Sequence, residues 1–207
     1  MTAKVIKIAP AEDYFSITWR ITKRCNYDCM YCPTEWHDEN SAHSTLEDLK
    51  RHWVDIFEKT KIRGQKYKIA FTGGEATSNK DFKPFMLWLR ENYGEHLFRI
   101  ILTTNGSASK NYYSEILNYV DNISFSLHSE HIEETRFFDT VFYLKDTMAP
   151  GKFVHVNIMD EYWNHARIEM YKKILSERNI SFGVNEIDYT MKTREHPIFK
   201  GKLDLEV

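Results

Sequence analysis

All three cysteines of this 207-residue chain fall in one eight-residue stretch, Cys25-Asn26-Tyr27-Asp28-Cys29-Met30-Tyr31-Cys32. Three thiolates this close can converge on a single metal site. A zinc site usually takes four ligands, commonly as two separated pairs, and His37 is the nearest candidate for a fourth. A structural disulfide would leave one odd thiol in a chain with no sign of secretion. Two-cluster ferredoxins use a C-x2-C-x2-C-x3-C-P run and need more cysteines than are present. A four-iron cluster held by three cysteines would leave one iron without a protein ligand and open to a small molecule.

Length and composition narrow the rest. The chain is long enough for one domain with a substantial core, and 42% apolar residues are ordinary globular material. A formal net charge of -2 argues against nucleic acid or an anionic membrane as partner. No apolar run is long enough to span a bilayer, and Met1 to Lys7 lacks the apolar core of a signal peptide. Free, clustered thiols without an export signal point to a reducing cytoplasm. No internal repeat, low-complexity tract or linker is visible.

Residues 14–22 alternate, with Phe15, Ile17, Trp19 and Ile21 against Ser16, Thr18, Arg20 and Thr22, which is the period of a strand. The cysteine loop follows directly. Ser44-Thr45-Leu46-Glu47 reads as a capping box, after which Leu46, Leu49, Trp53, Ile56 and Phe57 share a helical face. Lys68 to Thr72 is a strand ending in Gly73-Gly74-Glu75. Ser78 or Asn79 can cap a helix carrying Phe82, Phe85, Met86 and Leu89 and stopping near Gly94. Leu97 to Thr103 is a strand ending in Thr104-Asn105-Gly106, and Ser109 can cap the helix after it. Further strands are expected over Asn122–His128, Phe153–Met159 and Ile180–Ile187, with helices over Glu133–Thr147 and around Ile168–Leu175. From Asp188 the chain shows no clear period.

Six strand–helix alternations, the sixth without an obvious helix, predict an α/β fold with a parallel sheet and helices outside. The sheet is either open and doubly wound or curved into a barrel. In the fourth strand Ile123, Phe125 and Leu127 alternate with Ser124, Ser126 and His128; in the fifth, Val154, Val156 and Ile158 alternate with His155 and Asn157. The apolar set packs under helices, so the other face is polar. A closed eight-stranded barrel normally fills its interior with branched apolar layers. A polar inner face therefore implies an interior holding ligand and water.

The C-x3-C-x2-C spacing, with the aromatic Tyr31 just before the last cysteine, resembles the radical S-adenosylmethionine (radical SAM) superfamily. The resemblance covers about residues 14–187 and implies a partial (β/α)6 TIM-like barrel in a single 207-residue domain, flanked by an arm over 1–13 and a tail over 188–207. It implies a 4Fe-4S cluster on Cys25, Cys29 and Cys32 whose open iron chelates S-adenosyl-L-methionine. In parallel α/β proteins ligands sit at the carboxyl ends of strands, and the remaining motifs fall there. Gly73 and Gly74 would let the backbone approach the methionine moiety, although Ala76 replaces the proline that usually follows this motif. Glu75 would accept from the cofactor's ammonium group or order the loop. Thr103, Asn105, Ser126 and Asn157 are expected to line the cofactor pocket, and Tyr31 to shield the cluster near the adenine. Arg136 is expected to pair with the cofactor carboxylate. His128 is the candidate catalytic residue on the substrate side, as a proton donor or acceptor.

The resemblance further implies a reducing partner such as flavodoxin or ferredoxin, and hydrogen abstraction from a substrate. The arm and tail are short for sealing the gap between the first and last strands. A peptide or protein-borne substrate, or a homodimer contact, is therefore expected to finish the wall. The alternatives are a glycyl-radical-enzyme activase, a small-metabolite enzyme similar to 7-carboxy-7-deazaguanine synthase, and a non-catalytic metal-binding protein. The second would place Thr34 near a magnesium ion, but Pro33 stands where that motif has Asp.

Overall fold

A computed structural model describes residues 13–33, 38–161 and 164–187. They form six strands, β1 (Tyr14–Arg20), β2 (Lys66–Thr72), β3 (Leu97–Thr104), β4 (Asn122–Leu127), β5 (Phe153–Asp160) and β6 (Ser181–Glu186). Five helices connect them: α1 (Leu46–Thr60), α2 (Phe82–Tyr93), α3 (Lys110–Ile116), α4 (Glu134–Thr147) and α5 (His165–Glu177). The strand order is β1-β2-β3-β4-β5-β6, and every neighbouring pair is parallel. A doubly wound sheet reverses its strand order at a switch point. This sheet never does, which is the topology of a partial TIM-like barrel. Among the described residues β1 pairs only with β2 and β6 only with β5, so the barrel is not closed.

The two faces of the sheet divide as the alternation predicts. Ile69, Phe71, Ile123, Phe125, Leu127, Val156 and Ile158 are wholly buried under the helices. They meet Leu49 and Trp53 of α1, Phe82, Phe85, Met86 and Leu89 of α2, and Tyr171 and Leu175 of α5. Trp19 packs on Phe71 and Phe85, each at 5.6 Å between ring centroids. Burying each such side chain contributes about 1.5–3 kcal/mol, so the core stabilises the helix layer while the other face stays polar. On that inner face Asn157 Nδ2 donates to Ser124 Oγ at 2.8 Å. A Cβ at Gly183 would lie 3.7 Å from His155 Nε2, which puts both residues on the same side.

Three local expectations are corrected. The first strand ends at Arg20, not Thr22: Ile21 N still donates to Thr72 O at 3.0 Å, but Thr22 O accepts from Gly74 N, beyond the end of β2. The N-cap of α1 is Thr45, not Ser44: its hydroxyl accepts from Asp48 N at 3.2 Å and the Asp48 carboxylate accepts from Thr45 N at 3.3 Å. Neither Ser78 nor Asn79 caps α2. A short 3-10 turn over Ala76–Ser78 intervenes, and Asn79 Oδ1 instead accepts from Asp81 N at 2.9 Å ahead of the helix. The Ser109 cap of α3 is present, its side chain accepting from Tyr112 N at 3.2 Å. No helix among the described residues is long and apolar enough to cross a membrane.

Candidate active site

The cysteine loop is held at the carboxyl ends of β1 and β2 by main-chain bonds. Cys25 N donates to Asp38 O at 2.8 Å, Asp38 N to Lys23 O at 3.0 Å, and Cys32 N to Cys29 O at 3.0 Å. The glycine pair after β2 docks against the start of this loop: Gly74 N donates to Thr22 O and Glu75 N to Arg24 O, both at 2.9 Å. A Cβ on Gly73 would stand 2.4 Å from Thr22 O, and one on Gly74 would stand 2.4 Å from both Lys23 O and Arg24 O. Real Cβ atoms do not come that close to a carbonyl oxygen. Glycine is therefore required here for backbone against backbone, a reason separate from any approach to a ligand.

Glu75 lies behind the loop, 1% exposed. One carboxylate oxygen accepts from Thr77 N (2.9 Å), Thr77 Oγ1 (2.7 Å) and Thr104 Oγ1 (2.8 Å); the other accepts from Asn105 N at 2.7 Å. Burial raises its pKa, and these donors act against the rise. Of the two roles expected for Glu75, this geometry is that of ordering the loop. It ties the segment after β2 to the Thr104-Asn105-Gly106 turn after β3. Asn105 in turn donates from Nδ2 to Asn26 Oδ1 at 3.0 Å, and its Oδ1 accepts from Ser107 N at 3.0 Å. The turn after β3 thus reaches the cysteine loop through one side chain.

These loops surround a cavity of about 320 Å³. Cys25, Cys29 and Cys32 line it together with Tyr31, Gly73, Gly74, Thr103, Asn105, Ser126 and His128. Tyr27, Pro33, Thr72, Thr104, Met159, Glu186 and Ile187 complete the wall. Ten of the thirteen candidate residues thus meet at one place. Glu75 stands behind the wall. Asn157 lies lower on the inner face, bonded to Ser124. Arg136 is not brought to this cavity: its guanidinium donates to Ser107 O at 2.7 Å and Ala108 O at 3.1 Å, and it lines a separate depression near Gly106 and His131. The short loop between β4 and α4 leaves it there. His37 and Thr34, and the arm and tail over 1–12 and 188–207, lie outside the described residues.

The three thiols suit a metal cluster by their chemistry. All are free. Burial pushes the pKa of each one up; Cys32 reaches about 11, held back by the Arg20 charge, and Cys25 and Cys29 are likewise raised. Three protonated thiols facing one space become thiolate ligands only when a cation displaces their protons. Cys29 also stands near Glu130 and His131, the three ligand atoms lying within 4.8 Å of one another.

A polar network that sequence analysis missed lies beside the cysteines. Glu161 directly follows β5 and is fully buried. Tyr31 donates its phenol proton to Glu161 Oε1 at 2.9 Å, and Ser129 Oγ donates to Glu161 Oε2. The Tyr31 hydroxyl also bonds His128 Nδ1. A phenol has one proton; with that proton on Glu161, His128 Nδ1 must be the donor of the second bond, which leaves its Nε2 as an acceptor. Burial lowers the His128 pKa to about 4 and raises that of Glu161 to about 7. His128 is therefore a neutral imidazole near neutral pH and is not poised to titrate there. The available signal for Glu161 was its place at a strand's carboxyl end. A single carboxylate without a motif gave no reason to select it.

The chain matches the radical SAM superfamily over residues 19–156. It is 33% identical over 97 residues to a probable GTP 3',8-cyclase of Methanocaldococcus jannaschii, a stretch covering 46% of this chain and 30% of that protein. It is 31% identical over 98 residues to an S-adenosylmethionine-dependent nucleotide dehydratase of Selenomonas ruminantium, covering 47% of this chain and 32% of that one. The match thus spans about a third of the length of these curated relatives. Among solved structures, Streptococcus suis SuiB bound to precursor peptide SuiA superposes with a TM-score of 0.65 at 16% identity, over 88% of this chain and 42% of SuiB. BtrN in complex with AdoMet and 2-DOIA superposes with a TM-score of 0.53 at 16% identity, over 92% of this chain and 80% of BtrN. At these identities the structures speak to the fold, and it is the same partial barrel. With a family match across most of the strands and three cysteines opening on one cavity at their carboxyl ends, the chain belongs to the radical SAM superfamily.

Proposed function

We propose that this chain reductively cleaves S-adenosyl-L-methionine and uses the product to abstract hydrogen from a substrate. The observation that carries the reading is the convergence of Cys25, Cys29 and Cys32 on the cavity edged by Gly73 and Gly74. A 4Fe-4S cluster on these thiolates would supply the electron that breaks the sulfur–carbon bond of the cofactor, giving a 5'-deoxyadenosyl radical. The residues of the chain bind, orient and shield. Thr103, Asn105 and Ser126 present polar groups along the cavity wall, and the glycine pair exposes backbone. Tyr31 closes the side towards Glu161. Glu75 contributes by holding three loops in register, and Arg136 by pinning the Ser107–Ala108 carbonyls beside the turn.

Two substrate classes have support. The names of the curated relatives favour a nucleotide. The open barrel edge, together with a structural neighbour solved with its precursor peptide, supports the expected peptide-borne substrate as the second reading. A one-electron donor of the flavodoxin or ferredoxin kind would supply the cluster, and a reducing cytoplasm would keep the thiols free. The test is anaerobic reconstitution with iron and sulfide, followed by dithionite and S-adenosylmethionine, with chromatography for 5'-deoxyadenosine. Release of 5'-deoxyadenosine is expected. A fully loaded protein that releases none would overturn the reading.

A further inference from the structure

The inner face of the sheet carries its basic side chains on β1, β2 and β3. Residues alternating with the core-facing ones include Arg20, Lys66, Lys68 and Arg99. The two acidic strand residues, Asp160 and Glu186, stand at the carboxyl ends of β5 and β6, away from the amino ends where Lys68 and Arg99 lie. Among the described residues, Lys68 and Arg99 have ring faces for neighbours and no carboxylate in ion-pair range. Lys68 Nζ donates to Tyr14 Oη at 3.3 Å and sits 4.9 Å over its ring. The Tyr14 ring stacks on Phe98 at 4.8 Å. The Arg99 guanidinium sits 5.3 Å over Phe98 and 5.7 Å from the Phe153 ring centroid. Phe98 and Phe153 are 48% and 40% exposed, so the group forms a solvent-open shelf and not part of the core.

We propose that this shelf binds the phosphate end of a phosphorylated small-molecule substrate, with Lys68 and Arg99 as its ligands. Cations held over aromatic rings are oriented without being neutralised, and their field is focused by the sheet behind them. Arg and Lys donors on adjacent strands match a polyphosphate, which needs several charge-assisted bonds at once. Lys68 and Arg99 are register partners, so their side chains leave neighbouring points of the sheet. The span also fits: Lys68 stands four residues before Thr72 of the cavity wall, about 13 Å at a strand's rise of about 3.3 Å per residue. A substrate anchored on the shelf would extend along the inner face past the small residues Ala70 and Thr18 and offer its far end to the cavity. The inference rests on the enzyme reading above and narrows its substrate class.

The experiment titrates inorganic tripolyphosphate into the reconstituted full chain by calorimetry, in about 0.15 M NaCl to screen exposed charges beyond roughly 8 Å. Saturable binding is expected, weakened about tenfold or more in the Lys68→Ala/Arg99→Ala double variant. Lys59→Ala, which removes an exposed helix cation, is expected to bind as wild type does. Should the alanine pair fail to fold, Lys68→Gln/Arg99→Gln keeps the side-chain bulk and removes the charge. Absence of saturable binding to wild type overturns the site. So does equal binding by the double variant, or an equal loss in Lys59→Ala, which would mark diffuse charge. Displacement by GTP or by glucose 6-phosphate supports the site in either case and tells a nucleotide from a sugar phosphate. Dithionite assays on the same wild-type preparation separate the two readings. Normal 5'-deoxyadenosine release without tripolyphosphate binding overturns only the shelf, whereas a loaded protein releasing none overturns the enzyme reading.

Discussion

Tyr31, one residue before the last cysteine, donates its hydroxyl proton to Glu161, 130 residues further along the chain, at 2.9 Å. One bond thus ties the cysteine loop after β1 to the end of β5, across the width of the barrel. Because the same hydroxyl bonds His128 after β4, three strand ends are locked to one phenol oxygen. Phenylalanine at position 31 keeps the ring but removes this junction. Tyr31→Phe is expected to cost about 1–3 kcal/mol of stability, the range for leaving buried polar groups without a partner. Urea unfolding of wild type and variant checks this; equal midpoints would show that the junction does not matter.

Glu161 gives a pH signature. Burial raises its pKa from the ordinary 4.5 to about 7. Between these values the folded chain holds a proton that the unfolded chain has released. Stability must therefore fall as pH rises from about 4.5 to about 7 and level off above, by up to about 3 kcal/mol at 1.36 kcal/mol per pKa unit. Glu161→Gln carries no such proton, so its stability curve is expected to lack this fall. The variant should gain on wild type as pH rises. Melting temperatures across pH 5–8 for both proteins make the comparison, and parallel curves would contradict it.

Gly74→Ala introduces a Cβ 2.4 Å from two carbonyl oxygens of the cysteine loop. Both are main-chain atoms, so the loop itself must shift. A loss of about 1–3 kcal/mol is expected, as for other overpacked sites, along with poor iron loading because the displaced segment carries Cys25. Iron and sulfide counts after reconstitution test this independently of activity.

Cys25→Ala, Cys29→Ala and Cys32→Ala are each expected to abolish 5'-deoxyadenosine release. Three single variants that each kept wild-type release would defeat the cluster assignment. Because burial raises all three thiol pKa values, ligation must expel protons, and loading should be more favourable at pH 8.5 than at pH 6.5. Absorbance of the reconstituted protein reads this directly, and stripping with a chelator should reverse it.

Much of the fold was legible in one dimension. Strand alternation and helical faces depend on neighbours two to four residues apart, so the burial of Ile123, Phe125 and Leu127 follows from their spacing alone. The cysteine spacing is equally local, and it marked the superfamily. Local signals were weaker at boundaries: Ser44 and Thr45 both offer a capping hydroxyl, and only the positions of Asp48 and the loop behind decide between them.

What the tertiary structure alone decided are the contacts made across the barrel. Nothing near Glu161 in the chain announces that its carboxylate meets Tyr31, because the end of β5 and the cysteine loop after β1 come together only across the folded barrel. The turn carrying Ser107 and Ala108 claims Arg136 for its carbonyls, a position that a count of residues after β4 could not distinguish from one facing a ligand. Gly73 and Gly74 were visible as a motif, but the carbonyls that exclude a Cβ belong to Thr22, Lys23 and Arg24 on another strand's loop. Periodicity records which face of its own element a residue occupies. Which groups then meet, and which protons they can keep, depends on burial and distance between elements that only the folded barrel brings together.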